Sequence, residues 1–283
     1  MELTAAEIHA AVRAALAEDI GSGDATTLAT VPADAQLTAA MVAREPLVLA
    51  GLAFAEAAFR ELAPTLSVTC LARDGEPCRA GQTLLHVSGP ARAILTAERV
   101  ALNFVQRLSG VATLTAQFVA AVHGTRAQIL DTRKTTPGWR RLEKYAVHCG
   151  GGTNHRVGLF DQILIKDNHL AALRDAQPNA IAAAVQRARA QFPQLKVEVE
   201  ADTLAQVAQA ADAGADIILL DNMTTAQLRE AVRLVARRAQ TEASGGVRLD
   251  TVRAIAETGV DFISVGALTH SARAVDIGLD FAG

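Results

Sequence analysis

The sequence predicts a mixed α/β protein, with an N-terminal α+β, sandwich-like domain followed by an incomplete parallel α/β barrel of about six strands. The first observation is an alternation of short apolar runs and helical segments after residue 125, which is typical of parallel sheets. The second is the irregular order of strands and helices before that point. The third is that half of the 283 residues are hydrophobic, which supplies the core of one large domain or two ordinary ones.

Composition narrows the class of protein. Only 4% of the residues are aromatic and the formal net charge is −3, which argues against a nucleic-acid-binding surface. No apolar run approaches the ~18 residues of a membrane span, and no basic and apolar leader opens the sequence. The three Cys contain no CxxC and are too few for a disulfide framework. We therefore expect a cytoplasmic protein with reduced thiols, without a membrane or nucleic-acid partner.

The N-terminal domain is predicted to extend to about residue 108. Thr4 and Glu7 have the spacing of a capping box ahead of apolar residues at helical period, and they predict a helix over 4–18. Asp24, which follows two glycines, is placed to cap the next turn. The other predicted elements are a helix at 52–62 and strands at 36–43, 47–50, 66–72 and 84–87.

A long helical pattern over 92–122 leads from the first domain into the second, which we expect to cover 109–271. Gly110 interrupts this pattern, and it predicts a break into two helices. Arg99 lies among apolar neighbours on the first of them. A lone Arg in such a position is most often a surface residue whose stem covers apolar groups.

The barrel is predicted from five clear strands and one weak one. The clear strands are 128–131, 162–166, 195–200, 216–220 and 261–265, and the weak run is 239–243. The helices expected between them are 138–148, 178–191, 202–213, 224–239 and 249–258. Two further strands would be needed to close an eight-stranded barrel, and the sequence offers none, so we predict an open one.

The stretch from Asp131 to His169 concentrates positive charge in an acidic chain. Its seven Lys or Arg stand against four acids, a formal charge of +3. Cations gathered in one Gly-rich region indicate a site for a small, strongly anionic ligand. Within the stretch, Arg140, Arg141 and Lys144 fit an ordinary solvated helix face, and the remaining cations do not.

Enzymes with parallel barrels carry their chemistry at the carboxyl ends of the strands. In this sequence those ends supply cations, then carboxylates, then glycines. The residues in chain order are Arg133 and Lys134, then Lys166, Glu198 and Glu200, then Asp221, then Ser244, Gly245 and Gly246, and finally Gly266.

Each group of strand-end residues suits part of one ligand. Glycine turns after the last strands bind phosphate through backbone N–H groups, although ordinary turns explain any single glycine equally well. Glu200 and Asp221 suit Mg²⁺ or a cationic transition state. Glu198 points to the same strand face as Glu200, and two such acids require cationic partners, for which Lys166 and Arg133 are the candidates.

Arg133, His155 and Arg156 suit forked hydrogen bonds to a carboxylate or a phosphate. The adjacent Gly150–Gly152 permits close approach of the loop to a ligand or serves only as a flexible connection. The residues alone thus indicate an enzyme whose ligand combines carboxylates with phosphates and that uses Mg²⁺. Transfer of a phosphorylated sugar is compatible with this set.

An ordered set of motifs carries a resemblance to a known family. The motifs are EDIGSGD at 18–24, AER at 97–99, QRLSG at 106–110, DTRKTTPG at 131–138, EKYAV at 143–147, GGG at 150–152, HR at 155–156, IKDNH at 165–169, VEVE at 197–200, LDN at 220–222, SGG at 244–246 and VGALTHS at 265–271. Each motif is weak alone, but the ordered set spans nearly the whole chain and resembles the quinolinate phosphoribosyltransferase family. Trp139 is the one departure in the central motif, where an aliphatic residue is commoner, and it lies outside the charged set.

The resemblance implies a fold and a reaction. The fold is an N-terminal α/β domain on an incomplete α/β barrel, with the last residues, about 272–283, returning to the first domain. The reaction converts quinolinate and phosphoribosyl pyrophosphate to nicotinate mononucleotide, pyrophosphate and CO₂ in NAD biosynthesis, with Mg²⁺.

The resemblance also implies roles for individual residues. Arg133, His155 and Arg156 would bind the quinolinate carboxylates, with Lys134 nearby, and Lys166 would contact the pyrophosphate or ribose. Glu200 and Asp221 would contact the ribose or its Mg²⁺ and stabilise the transition state. The 5′-phosphate would be held by Ser244, Gly245, Gly246 and Gly266. Arg99 would reach into the site of a partner subunit, so we expect a homodimer with shared active sites, and whether dimers assemble further stays open.

Two alternatives remain at this point. One is a related protein of the same fold, either nicotinate-using or associated with molybdenum transport. The other is a catalytically silent barrel that binds phosphorylated ligands. Four cationic or His residues argue for two ring carboxylates, and intact Lys166, Glu200 and Asp221 argue for catalysis.

Overall fold

The computed structural model describes residues 1–281. The two last positions of the predicted tail, 282–283, lie outside the described residues. The chain forms two compact units. The first comprises Met1–Ala116, Arg141–Gly151 and the described residues 271–281, and the second comprises Gln117–Arg140 and Gly152–His270. The division into 1–108 and 109–271 stays a prediction, and the compact units differ from it by grouping residues 109–116, Arg141–Gly151 and Ser271 with the first unit.

Helices and strands are interspersed along the whole of the described chain. Up to residue 121 they are α1 (Ala5–Ile20), α2 (Ala25–Thr30), β1 (Gln36–Ala43), β2 (Leu47–Val48), α3 (Leu52–Leu62), β3 (Ser67–Cys70), β4 (Pro77–Cys78), β5 (Thr83–Pro90) and α4 (Ala91–Ala121). They continue with β6 (Gln128–Leu130), α5 (Arg140–Cys149), β7 (Ile163–Ile165), α6 (Asp167–Ala171), α7 (Ala180–Gln191), β8 (Val197–Ala201), α8 (Leu204–Asp212), β9 (Ile217–Asp221), α9 (Thr225–Val235) and β10 (Gln240–Ser244). The last are α10 (Val252–Ala256), β11 (Phe262–Ser264), α11 (Ala267–His270) and β12 (Ile277–Phe281). No helix among the described residues combines the length and the apolar composition needed to cross a membrane.

The first unit is built on an antiparallel sheet in the order β12-β1-β5-β3. The capping box predicted at the start of α1 is confirmed, because Thr4 and Glu7 each bond to the other's backbone. Asp24 caps α2 by accepting the Thr27 N–H at 3.0 Å, as predicted, although the helix it begins was not. Strand β12 adds the last described residues to the edge of this sheet.

The predicted break at Gly110 is wrong, because α4 is a single helix of 31 residues. Gly110 lies directly against the backbone of Arg273, and a Cβ at this position would overlap the Arg273 carbonyl oxygen. The glycine therefore serves close backbone approach, a role that compensates for its low helix propensity.

The prediction of a solvated face on α5 is also wrong for part of the helix. Lys144 and its neighbour Glu143 are fully buried. Glu143 forms a 2.9 Å ion pair with Arg107 of α4. Burial of charge requires pairing, so these residues anchor α5 within the first unit and contribute nothing to a solvated basic surface.

The second unit contains one parallel sheet in the order β6-β11-β10-β9-β8-β7, with helices α7 to α10 between its strands. This confirms the predicted incomplete barrel, including the weak strand, which is β10. The register places Asp221 of β9 beside Ser244 of β10, and Glu198 of β8 beside Ile217 of β9. Since all six strands are parallel, their carboxyl ends gather at one end of the sheet.

Candidate active site

A cavity of about 450 Å³ lies at the carboxyl ends of the barrel strands. Ten of the twelve predicted site residues line it: Arg133, Lys134, His155, Arg156, Lys166, Glu200, Asp221, Ser244, Gly245 and Gly246. Its walls also include residues that sequence reasoning did not select, namely Thr132, Leu164, Leu219, Asn222, Glu242 and Ser264. Cations, carboxylates and glycines that are far apart in sequence thus share one concave site.

Two predicted residues are not among those lining the cavity. Gly266 is adjacent to the cavity lining. A Cβ built on it would be 3.2 Å from Cδ of Lys134, which lines the cavity. Arg99 is exposed on α4, in the first compact unit, and is not among the residues that line the cavity.

Lys166 and Glu200 face each other at neighbouring strand ends. Nζ of Lys166 donates to Oε2 of Glu200 over 2.5 Å, as the sequence predicted for this pair. Lys166 is the last residue before α6, and its backbone N–H bonds to Nδ1 of His169 at 2.9 Å. The backbone of Lys166 is therefore held by the first turn of α6, and its ammonium group reaches across to β8.

Asn222 connects Asp221 to the glycine turn after β10. It adopts a left-handed backbone conformation with φ of 54°, and its Nδ2 donates to Oδ2 of Asp221 at 2.6 Å. Its backbone N–H bonds to the Ser244 carbonyl oxygen at 2.9 Å. Gly245 packs so closely on the Asn222 side chain that any Cβ would clash with it. Asn222 thus ties the carboxylate at the end of β9 to the backbone that we expect to bind phosphate.

Glu198 forms an ion pair with neither Lys166 nor Arg133, the two candidate partners of the β8 acids. Glu198 is fully buried, and its Oε2 lies 3.1 Å from Nε2 of His155 and accepts from Nε2 of Gln162 at 2.7 Å. Nε of Arg133 is buried without a hydrogen-bond partner among the described residues. The His155 imidazole and the Gln162 amide thus both contact Oε2, whereas Oε1 of Glu198 has no hydrogen-bond partner among the described residues. Arg133 is left to line the cavity.

Glu242 is the site residue that sequence reasoning missed. It is 1% exposed, and neither of its carboxyl oxygens has a hydrogen-bond partner among the described residues. Burial, with Glu198 close by, raises the pKa of Glu242 well above the ordinary range of a glutamate, so it is held neutral. The available signal was its spacing, since Glu242 precedes Ser244 by two positions and so faces the same side of β10.

The cationic side of the cavity is partly desolvated. Burial lowers the pKa of Arg156, and the neighbouring Arg133 lowers it further. Two like charges held together in this way raise the free energy of the empty site. A ligand with two negative charges relieves the repulsion, so the arrangement favours a dianion.

Two sets of side chains offer possible ligands for a metal ion. Glu200 and Asp221 fit Mg²⁺, which is commonly held by one or two carboxylates together with substrate phosphate oxygens. His155, Glu198 and Glu242 also cluster, with candidate ligand atoms within 4.8 Å of one another. Metal binding there would require a lone pair on His155 Nε2, which faces Glu198, because Nδ1 already accepts the Arg156 N–H at 2.7 Å.

Comparisons with known proteins agree over nearly the whole chain. The model of the C-terminal domain of quinolinate phosphoribosyl transferase matches residues 111–280, and that of its N-terminal domain matches 24–109. A carboxylating nicotinate-nucleotide pyrophosphorylase from Mycobacterium leprae is 48% identical over 275 residues, 95% of each chain. A probable enzyme of the same name from Bacillus subtilis is 42% identical and covers 93% of this chain and 89% of its own. The solved nicotinate-nucleotide pyrophosphorylase from Francisella tularensis superposes with a TM-score of 0.93, at 40% identity, over 99% of this chain and 98% of its own.

Family models that match both halves of the chain and relatives above 40% identity over nearly full length leave one assignment. The chain belongs to the quinolinate phosphoribosyl transferase family.

Proposed function

We propose that this protein transfers the phosphoribosyl group of phosphoribosyl pyrophosphate to quinolinate with loss of CO₂, giving nicotinate mononucleotide and pyrophosphate in NAD biosynthesis. The observation that carries the proposal is the single cavity lined by Arg133, Arg156, Lys166, Glu200 and Asp221. The relatives from M. leprae and B. subtilis bear the name of this activity.

Quinolinate binds at the cationic side of the cavity. Arg133 and Arg156 offer planar guanidinium groups to the two ring carboxylates, and Lys134 adds a third charge. Nicotinate, with one carboxylate, leaves part of this charge unpaired, which is the physical basis for preferring the dicarboxylate. His155 lies with these residues, although its ring nitrogens contact Glu198 and the Arg156 backbone.

Phosphoribosyl pyrophosphate binds across the other strand ends. The backbone N–H groups after β10, at Ser244, Gly245 and Gly246, hold the 5′-phosphate with Gly266, and Lys166 contacts the diphosphate. Glu200 and Asp221 bind the ribose hydroxyls. They would also hold Mg²⁺, which would supply neutralisation of the charge on the departing diphosphate.

Departure of pyrophosphate leaves positive charge on the ribose, which the fixed carboxylates of Glu200 and Asp221 stabilise. The ring nitrogen of quinolinate then forms the bond to the ribose. When the carbon–carboxylate bond breaks, its electron pair stays on the ring carbon, where the adjacent positively charged nitrogen stabilises it. CO₂ therefore leaves after the nucleotide has formed, and a proton from solvent takes its place on that carbon.

The active unit that we propose is a homodimer. Arg99 is exposed on α4, and by the resemblance of its AER motif it completes the site of the partner subunit. This assigns a ligand role to an arginine that the single chain leaves on a surface. The predicted cytoplasmic location stays a prediction.

One assay separates this function from its rivals. The protein, Mg²⁺ and phosphoribosyl pyrophosphate are incubated with quinolinate or with nicotinate, and nicotinate mononucleotide is quantified. We expect product with quinolinate at a rate at least about tenfold that with nicotinate. Equal use of nicotinate would support the nicotinate-using alternative, and binding of phosphoribosyl pyrophosphate without turnover would support a silent barrel.

A further inference from the structure

Four residues, of which His155 and Arg156 line the cavity, are connected by a closed ring of hydrogen bonds. Nη1 of Arg156 donates to the Gln162 carbonyl oxygen at 3.1 Å, and Nε2 of Gln162 donates to Oε2 of Glu198 at 2.7 Å. The same Oε2 lies 3.1 Å from Nε2 of His155, and Nδ1 of His155 lies 2.7 Å from the backbone nitrogen of Arg156. The ring starts and ends at Arg156.

These hydrogen bonds determine which nitrogen of the His155 imidazole carries the proton. A backbone N–H is only a donor, so Nδ1 of His155 must accept with its lone pair from Arg156. The proton of the neutral imidazole therefore resides on Nε2, where it faces Glu198. Both ring nitrogens are engaged by protein groups, and the His155 side chain is only 9% exposed.

Arg156 is consequently held at two separate points. Its backbone is bound by His155, and one arm of its guanidinium is bound by the Gln162 carbonyl oxygen. A guanidinium held at one nitrogen and at its backbone has a defined direction of entry into the cavity, which loose arginine side chains lack. This direction matters because forked bonds to a carboxylate tolerate little misalignment.

We propose that Glu198 is a positioning residue for quinolinate, which orients the Arg156 guanidinium through His155 and Gln162 and makes no contact with substrate itself. On this account His155 is part of the support and donates no hydrogen bond to the substrate carboxylates, in contrast to the role that the family resemblance implies. The inference rests on the proposed function, because it names quinolinate as the ligand of Arg156.

The test compares two substitutions at one position. In Glu198→Gln the amide oxygen can still accept both hydrogen bonds that now converge on Oε2, so we expect KM for quinolinate within about threefold of the original. Glu198→Leu removes the acceptor, and we expect KM for quinolinate to rise at least about tenfold while KM for phosphoribosyl pyrophosphate changes little. Gln162→Met, which removes one donor and keeps the backbone carbonyl, should give a smaller rise in the same constant.

A matched control removes a buried hydrogen bond elsewhere in the same sheet. Thr241→Val abolishes the 2.9 Å bond from Thr241 Oγ1 to Asp261, at the amino end of β10. Its KM for quinolinate should be unchanged. If Glu198→Leu does not fold, Gln162→Met and the control carry the comparison. Equal defects in Glu198→Gln and Glu198→Leu, or equal increases in both substrates' KM values, would overturn the proposal.

A second readout needs no activity. Nitrogen-15 NMR of the histidine-labelled protein, with the signals of His155 assigned through His155→Gln, reports which ring nitrogen is protonated. We expect a protonated Nε2 and an unprotonated Nδ1, and a proton on Nδ1 would sink the positioning role. If the unsubstituted protein does not turn over quinolinate, the proposed function is refuted instead. The NMR result then still decides whether the four residues are hydrogen-bonded as described.

Discussion

Nζ of Lys166 lies 2.5 Å from Oε2 of Glu200, and this ion pair joins the carboxyl ends of two neighbouring strands, β7 and β8. The Lys166 side chain is 43% exposed and that of Glu200 is 12% exposed. The pair thus has a largely buried carboxylate and a solvent-facing cation, which lets the lysine exchange its partner for a phosphate without stranding a charge in a dry interior.

Lys166→Ala should remove this cation and reduce kcat/KM for phosphoribosyl pyrophosphate by at least about 100-fold, because a charge that meets the diphosphate is lost and Glu200 is left to repel it. Steady-state kinetics at saturating quinolinate measure the effect. Lys196→Ala is the control, since Lys196 is exposed and precedes β8 at the opposite end of the strand. A Lys166→Ala enzyme within threefold of the original would show that Lys166 does not serve the diphosphate.

The proposed sharing of sites between subunits predicts complementation. Arg99→Ala and Lys166→Ala should each be nearly inactive alone, because every site lacks one residue. In mixed dimers one of the two sites regains both residues, so about a quarter of the activity should return when subunits mix at random and half of the dimers are mixed. Verified mixed dimers without recovered activity would contradict a shared site.

The buried Glu242 predicts a pH dependence of stability. Its pKa in the folded protein is raised above the ordinary value of 4.5, so the folded state retains a proton that the unfolded chain has lost. The contribution of this protonation to the free energy of unfolding is complete below that ordinary value and is lost as the pH rises towards the raised pKa. In Glu242→Gln no such proton is released. We therefore expect the free energy of unfolding of the original protein to fall by roughly 3 kcal/mol relative to the variant between about pH 5 and about pH 8, in denaturant titrations. A difference that is constant over this range would show that Glu242 ionises normally.

The Arg273 backbone predicts an unusual response at Gly110. Gly to Ala inside a helix commonly stabilises by up to ~1 kcal/mol, but here a Cβ meets the Arg273 carbonyl oxygen. Gly110→Ala should therefore lower the free energy of unfolding by about 2 kcal/mol or more, as overpacking does. Asn103→Ala, at an exposed position of the same helix, should be neutral or slightly stabilising. Thermal or denaturant unfolding of both variants decides, and a stabilised Gly110→Ala would refute the close-approach account.

The barrel strands could be predicted because most are short apolar runs bounded by turn residues, and β8 and β9 are buried over most of their length. Strand β10 was the weak case, since its sequence, QTEAS, is mostly polar. It nevertheless lies between β11 and β9 inside the sheet. Its polar side chains are tolerated there because Thr241 bonds to Asp261 and Glu242 is held neutral. Composition alone does not reveal such local compensation.

The features that could not be predicted depend on contacts between residues far apart in the sequence. Gly110 read as a helix break because its partner, Arg273, lies more than 160 positions away in the chain. Lys144 read as a solvated cation, since hydropathy assigns a buried charge to the surface unless its partners are known. Eight of the ten predicted residues that line the cavity followed from their positions at strand ends, and His155 and Arg156 followed from the cationic stretch 131–169. Glu242 did not follow, because a buried glutamate is costly unless it is paired or neutralised.

The most direct test of the central claim follows the carboxyl group that the reaction removes. Quinolinate labelled with carbon-13 in the carboxyl group next to the ring nitrogen is incubated with the protein, Mg²⁺ and phosphoribosyl pyrophosphate. We expect labelled CO₂, pyrophosphate and nicotinate mononucleotide in equal amounts, and loss of all three when Arg133 and Arg156 are both replaced by Ala. Pyrophosphate release without labelled CO₂, or full activity of the doubly substituted protein, would contradict the proposed reaction.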